Sequence, residues 1–267
     1  MSNEALTGLA SGAQLVHPEL FARVMHEEAK ACVRRVYREL EGLMREVLVL
    51  LEAADEKEGQ GPNRDTLAST GVLWEACDAV VELGKLGLAG LVVRKAKEYR
   101  DMLEDAIGEL KEWSEADGDE EEEEEDDEEV GSDDEDDIAK MLGGSDGIPK
   151  SRPDLRETVE GALKKLKLTS TLYQALSKRR LKTMPSPADS RIGTVDTLVE
   201  TLKSIPEETD ELANAFYELD NDEAKRLIEK VLTLAKDSAK LVEKNWQDEE
   251  DEFTVWSRKW KDAVEKP

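Results

Sequence analysis

Apolar residues recur along this chain at helical spacing, and no segment alternates in the manner of a strand. Leu20, Val24, Cys32, Val36, Leu40, Leu43, Val47 and Leu51 follow one another at steps close to multiples of about 3.6, with Arg34, Arg35, Arg38, Glu39, Glu41, Arg45 and Glu46 filling most other positions. The pattern predicts a long helix from Pro18 to about residue 54, with proline at the first helical position, where no amide is missed. A second helix is expected from about Asp65, through Leu67, Leu73, Trp74, Cys77, Val81 and Leu83. Gly84, Gly87 and Gly90 mark a turn near 84–87, and a third helix follows from Leu88 to about Trp113.

Beyond a polar gap the period resumes. Leu155, Val159, Leu163, Leu166, Tyr173 and Leu176 form one stripe, opened near Ser151 or Asp154 as cap and stopped by Thr183-Met184-Pro185-Ser186-Pro187. Ser186, Pro187 and Asp189 start another helix through Ile192, Val195, Leu198, Leu202 and Ile205, where Pro206 should kink or break the run. Asp220-Asn221-Asp222-Glu223 resembles a capping box with Asp as cap, leading to a helix ending near Trp246. Phe253, Trp256, Trp260 and Val264 then share one helical face, a spacing that marks core packing. Each helix offers a single apolar stripe and is stable only when packed on others. The fold class is all-α: antiparallel helix bundles of about seven to eight helices with four- or five-helix-bundle packing.

Between these helical halves lies a different kind of sequence. From Asp117 to Asp137, 17 of 21 residues are acidic and none is basic, so mutual repulsion and the lack of apolar side chains predict a disordered linker. The expected organisation is a flexible N-terminus over residues 1–16, an N-terminal helical region over 17–115, the acidic linker over 116–150 and a C-terminal helical bundle over 151–267. Whether the two helical regions share one bundle or form two is left open by the pattern. The formal net charge is −27, of which the tract supplies 17 negative charges, so the remainder is still acidic and general binding to nucleic-acid phosphates is disfavoured. The C-terminal half nevertheless carries a basic helix face, Lys164, Lys165, Lys167, Lys178, Arg179, Arg180 and Lys182, a candidate interaction face for a partner or for the acidic tract in low salt.

Candidate chemistry is sparse. The two histidines, His17 and His26, and the two cysteines, Cys32 and Cys77, form no metal-ligand pattern, and the cysteines read as buried free thiols of a reducing compartment. There is no glycine-rich phosphate loop and no carboxylate pair marked for acid–base work, so neither an enzyme activity nor a cofactor is expected. The first residues lack the basic and apolar regions of a signal peptide, and no apolar run reaches a membrane span, which predicts a soluble protein of cytoplasm and nucleus. Ser132, followed by acids, is a candidate phosphorylation site. Lys178–Lys182 could serve nuclear import, and Arg179-Arg180-Leu181 contains the Arg-x-Leu core of a cyclin-docking motif.

Three stretches carry a family resemblance: Gly71-Val72-Leu73-Trp74-Glu75-Ala76-Cys77-Asp78 before the acidic tract, Leu172-Tyr173-Gln174-Ala175-Leu176-Ser177-Lys178-Arg179-Arg180 after it, and the closing Phe253, Trp256 and Trp260. With them the chain resembles the cyclin-D-binding family of helix-loop-helix inhibitors, in the manner of a fungal or distant member. The resemblance implies a helical bundle without catalysis or cofactor. It also implies binding to cyclin-like or helix-loop-helix regulators, and negative regulation of transcription or cell-cycle progression. No basic region for DNA binding accompanies it. The expected function is therefore that of a helical-bundle interaction protein. The alternative is an acidic, chaperone-like protein that binds histones or other basic proteins through 117–137.

Overall fold

A computed structural model describes residues 3–56, 64–116, 147–185 and 191–266. Among them eight α-helices and one 3-10 turn account for the architecture, and no strand occurs. The helices are α1 (Asn3–Leu15), α2 (Pro18–Phe21), α3 (Arg23–Glu56), α4 (Arg64–Glu115), α5 (Pro153–Arg179), α6 (Ile192–Tyr217), α7 (Asn221–Leu241) and α8 (Glu252–Val264), with the 3-10 turn at Leu181–Thr183. The all-α expectation holds. The acidic tract, Ser132 and the expected Ser186 cap lie outside the described residues.

The chain divides into two compact units, one of residues 1–92 and 184–196, the other of residues 93–183 and 197–267. This is not the division expected at the acidic stretch. The second unit draws helices from both sides of it, so its core is shared between the two sequence halves. Trp113 of α4, for example, packs edge-on to Tyr217 of α6 at 5.3 Å between ring centroids. The first unit likewise recruits a segment from beyond the tract. Residues 1–16, read as a flexible N-terminus, contain α1.

In the first unit, α3 and the first part of α4 form an antiparallel hairpin. Arg35 pairs with Glu75 at 2.9 Å, and the Ser69 hydroxyl donates to Glu46 at 2.7 Å. Val36, Leu73 and Ala76 are buried between them, together with Leu9 of α1. The expected helix from 18 to 54 is interrupted at Ala22, which is buried with φ +67° and separates α2 from α3. The new N-terminus at Arg23 is capped by Asp196, whose carboxylate accepts from the Arg23 amide at 2.8 Å and the Val24 amide at 3.3 Å. The turn expected near 84–87 is a single non-helical residue, Gly87 (φ +63°, ψ −176°), within an otherwise helical run. That conformation is open essentially to glycine alone, which is why the break falls there.

The second unit buries Leu103, Leu110, Leu166, Tyr173, Phe216 and Val231 almost completely. At about 1.5–3 kcal/mol per fully buried large apolar side chain, such positions dominate its stability. Asp220 caps α7 as expected, accepting from the amides of Asp222 and Glu223. Pro206, expected to kink or break its helix, instead sits inside a continuous α6. Proline has no amide to donate to the carbonyl four residues earlier, that of Leu202. The buried Tyr173 hydroxyl donates to that carbonyl at 2.5 Å. The proline's cost is thereby offset by a side chain from α5, and burial pushes the Tyr173 phenol far above its ordinary pKa.

Candidate functional site

An apolar groove of about 580 Å³ lies in the first unit, walled by α1, α2, α3 and the first part of α4, with Met184 and Pro185 on one side. Its walls include Leu9, Phe21, Met25, Val33 and Leu83, and among the described residues no charged side chain lines it. Two hydrogen bonds hold α1 along α3 in antiparallel register: the Tyr37 hydroxyl donates to the Leu6 carbonyl at 2.7 Å, and His26 Nδ1 donates to the Val16 carbonyl at 2.5 Å. His17 caps α2, accepting from the Glu19 amide at 3.4 Å. Both histidines thus serve the backbone around the groove. Gly8 and Gly12 of α1 and Gly84 and Gly87 of α4 all line the groove, and a Cβ added at any of the four would meet nothing within 4 Å. The groove is wide because its walls lack side chains at these points. A cavity of this size, apolar and partly open, suits an apolar side-chain cluster or a small apolar ligand.

Sequence reading missed this site because it treated residues 1–16 as flexible. The available signal was Leu6, Leu9, Ala13 and Val16, spaced three, four and three residues apart on one helical face. Cys32 lines the groove, and Cys77 belongs to the neighbouring core cluster; neither is in a disulfide, and both are half-buried rather than fully buried.

A second, polar depression in the second unit is lined by Glu208, Glu211, Glu218, Glu223, Arg226 and Lys230. Its charges are largely spent on one another, as in the Lys230–Glu208 pair at 2.7 Å. Nearby, Asp210 has its pKa raised by burial and by Glu109, Glu211 and Glu207. Among the described residues no three His, Cys, Asp or Glu side chains are grouped to hold a metal ion.

The expected basic face is only partly a surface. Lys164, Lys167, Lys178 and Lys182 are exposed, Lys165 is half-buried, and Arg179 is exposed but paired with Glu252 at 2.8 Å. Arg180 is a correction: only 1% of it is exposed. Its five N–H groups are all engaged, by both carboxylate oxygens of Asp251 at 2.7 Å and by the carbonyls of Arg179, Val242 and Glu243. The guanidinium also lies 4.4 Å from the centroid of the Phe253 ring. Beside it, Asp251 is held at a pKa of about 2, while the same carboxylate caps α8 in a capping box with Thr254. Leu181 is fully buried. Neither the five-residue import patch nor the Arg-x-Leu sequence is therefore presented intact by the folded chain. A basic run does not announce which of its heads turns inward, and Asp251 stands 71 residues away.

The fold and the groove together define an all-helical protein whose distinguishing surface is apolar. Comparison with known sequences adds the family. Residues 5–116, which include the helices walling most of the groove, match the family model described as Grap2 and cyclin-D-interacting, N-terminal, so the resemblance to cyclin-D-interacting proteins stands. An uncharacterised protein of Schizosaccharomyces pombe is 25% identical over 261 residues, 96% of this chain and 70% of that protein. No solved structure matches the chain. Among the described residues no helix is long and apolar enough to cross a membrane.

Proposed function

We propose that this is a non-enzymatic interaction protein that binds cyclin-like or helix-loop-helix regulators in the apolar groove of its first unit. In doing so it restrains transcription or cell-cycle progression in cytoplasm and nucleus. The observation that carries the reading is the coincidence of the family match over residues 5–116 with the walls of an open, uncharged groove. Partner helices bind such grooves by laying an amphipathic face into them, with anchors at helical spacing. The groove's width at its glycines offers a test that leaves the hydrophobic core alone. Gly84→Leu fills the groove from a helical position with open space above it, and leucine favours the helix. Binding to a purified cyclin-box protein and to a helix-loop-helix domain should fall at least tenfold in Gly84→Leu, with the thermal midpoint unchanged or raised. The affinity should survive deletion of 117–137 with little salt dependence. Equal affinity in wild type and Gly84→Leu, or affinity lost with the acidic tract, would overturn the reading.

A further inference from the structure

The groove uses only part of the apolar surface of the α3–α4 hairpin. Helix α1 covers α3 as far as Tyr37, where the tyrosine meets the Leu6 carbonyl. Beyond it Met44, Leu48 and Leu51 of α3 and Leu67, Trp74 and Val81 of α4 are each more than half exposed. Leu67, Trp74 and Val81 recur every seven residues, and Tyr37, Met44 and Leu51 do the same. In an antiparallel hairpin, helical phase sets Arg35 and Glu75 on one side, where they form their ion pair, and places both apolar stripes on the other. One side of the hairpin is thus polar and the opposite side apolar.

We propose that this apolar side is the contact surface between two copies of the chain, paired about a two-fold axis with their α3 helices antiparallel. Two features select a second copy as the occupant. The first is area. Six large apolar side chains at this exposure present on the order of 100 Å² each, a patch at the upper end of what soluble monomers leave to water and close to the ~800 Å² per partner of a stable interface. The second is charge. The exposed edge of α3 beside the stripe carries Arg34, Glu41, Arg45 and Glu52. An antiparallel pairing centred on Leu43 sets Arg34 opposite the second copy's Glu52, and sets the Glu41–Arg45 ion pair of one copy against the same pair reversed in the other, so that Glu41 lies opposite the second copy's Arg45. Each edge charge then meets its opposite, whereas a parallel pairing would set like against like. A self-complementary charge order is what a two-fold contact requires and what a contact with an unrelated partner does not.

The test is the solution mass of the full chain by sedimentation equilibrium and light scattering. Wild type is expected at twice the 29.8 kDa chain mass. Leu48→Glu/Trp74→Glu should be monomeric with unchanged helicity, and Val255→Glu, at an exposed apolar position of the second unit, should remain dimeric. Arg34→Glu and Glu52→Arg should each weaken the dimer at least fivefold, and the two together should recover most of the loss, since the swapped charges meet again across the axis. A monomer across the accessible concentration range would overturn the proposal, as would a dimer indifferent to Leu48→Glu/Trp74→Glu or a double charge swap weaker than either single one. Gly84→Leu should leave the mass unchanged, which separates this contact from occupancy of the groove.

Discussion

The two units handle apolar side chains in opposite ways. In the second, the largest buried polar side chains are individually partnered: Arg180 has all five donors occupied, Tyr173 serves the carbonyl that Pro206 leaves free, and the Trp260 indole donates to the Leu168 carbonyl at 2.8 Å. Among its described residues, the large apolar side chains left at the surface are single and scattered, namely Met102, Leu241 and Val255. The first unit has small buried clusters, a half-open groove, and an exposed stripe on the same hairpin. Scattered exposed apolar residues need no explanation, whereas a contiguous set does. The contrast assigns stability mainly to one region and accessible apolar surface to the other.

Substitutions can break that assignment, and the largest effect should come from Arg180. Removing one partner of a buried, fully hydrogen-bonded ion pair costs about 3–5 kcal/mol, so Arg180→Ala should lower the urea midpoint severely. An exposed Leu15→Gln in the first unit, away from the proposed contact between copies, should move stability by no more than about 0.5 kcal/mol. Comparable losses from the two variants would erase the distinction. Next is Tyr173→Phe, which leaves the buried Leu202 carbonyl without a donor at a cost of about 1–3 kcal/mol. Alanine at 206 restores the missing amide, so Tyr173→Phe should cost less in a Pro206→Ala background, and a thermodynamic cycle over the four proteins measures that coupling. The smallest effect is one of pH. The native pKa of Asp251 is depressed from 3.8 to about 2, so its carboxylate contributes stability that is fully present above pH 3.8 and is lost as pH falls through 2. Acid titration of the unfolding free energy should show that decline in wild type and a shallower one in Asp251→Asn.

Much of the second unit was legible in the sequence, because helical period and local caps are short-range signals. The Asp220 cap and the buried face of Phe253 and Trp260 follow from residues a few positions apart, as does the break at Gly87 in the first unit. What could not be read depends on residues distant in sequence. The fate of Pro206 turns on Tyr173, 33 positions before it. The burial of Arg180 turns on Asp251, and the interruption at Ala22 is accompanied by a cap on Arg23 from Asp196, 173 positions after it. The groove escaped for a different reason: α1 has a weak apolar face of small residues, which is also what keeps the groove open.

The Asp196 carboxylate at the start of α3 has a consequence for how the chain matures. During synthesis, residues 1–92 leave the ribosome long before the segment that completes their unit. At roughly 5–20 residues per second, the interval before residue 196 emerges is on the order of 5–20 s. For that time the α3–α4 hairpin exists without its distant cap and without Met184 and Pro185 against the groove, its apolar stripes open to whatever helix is nearby. The nascent protein therefore passes through a window in which its apolar groove and stripes are accessible before its own architecture is closed. A partner or sister chain translated alongside would meet the hairpin in that window.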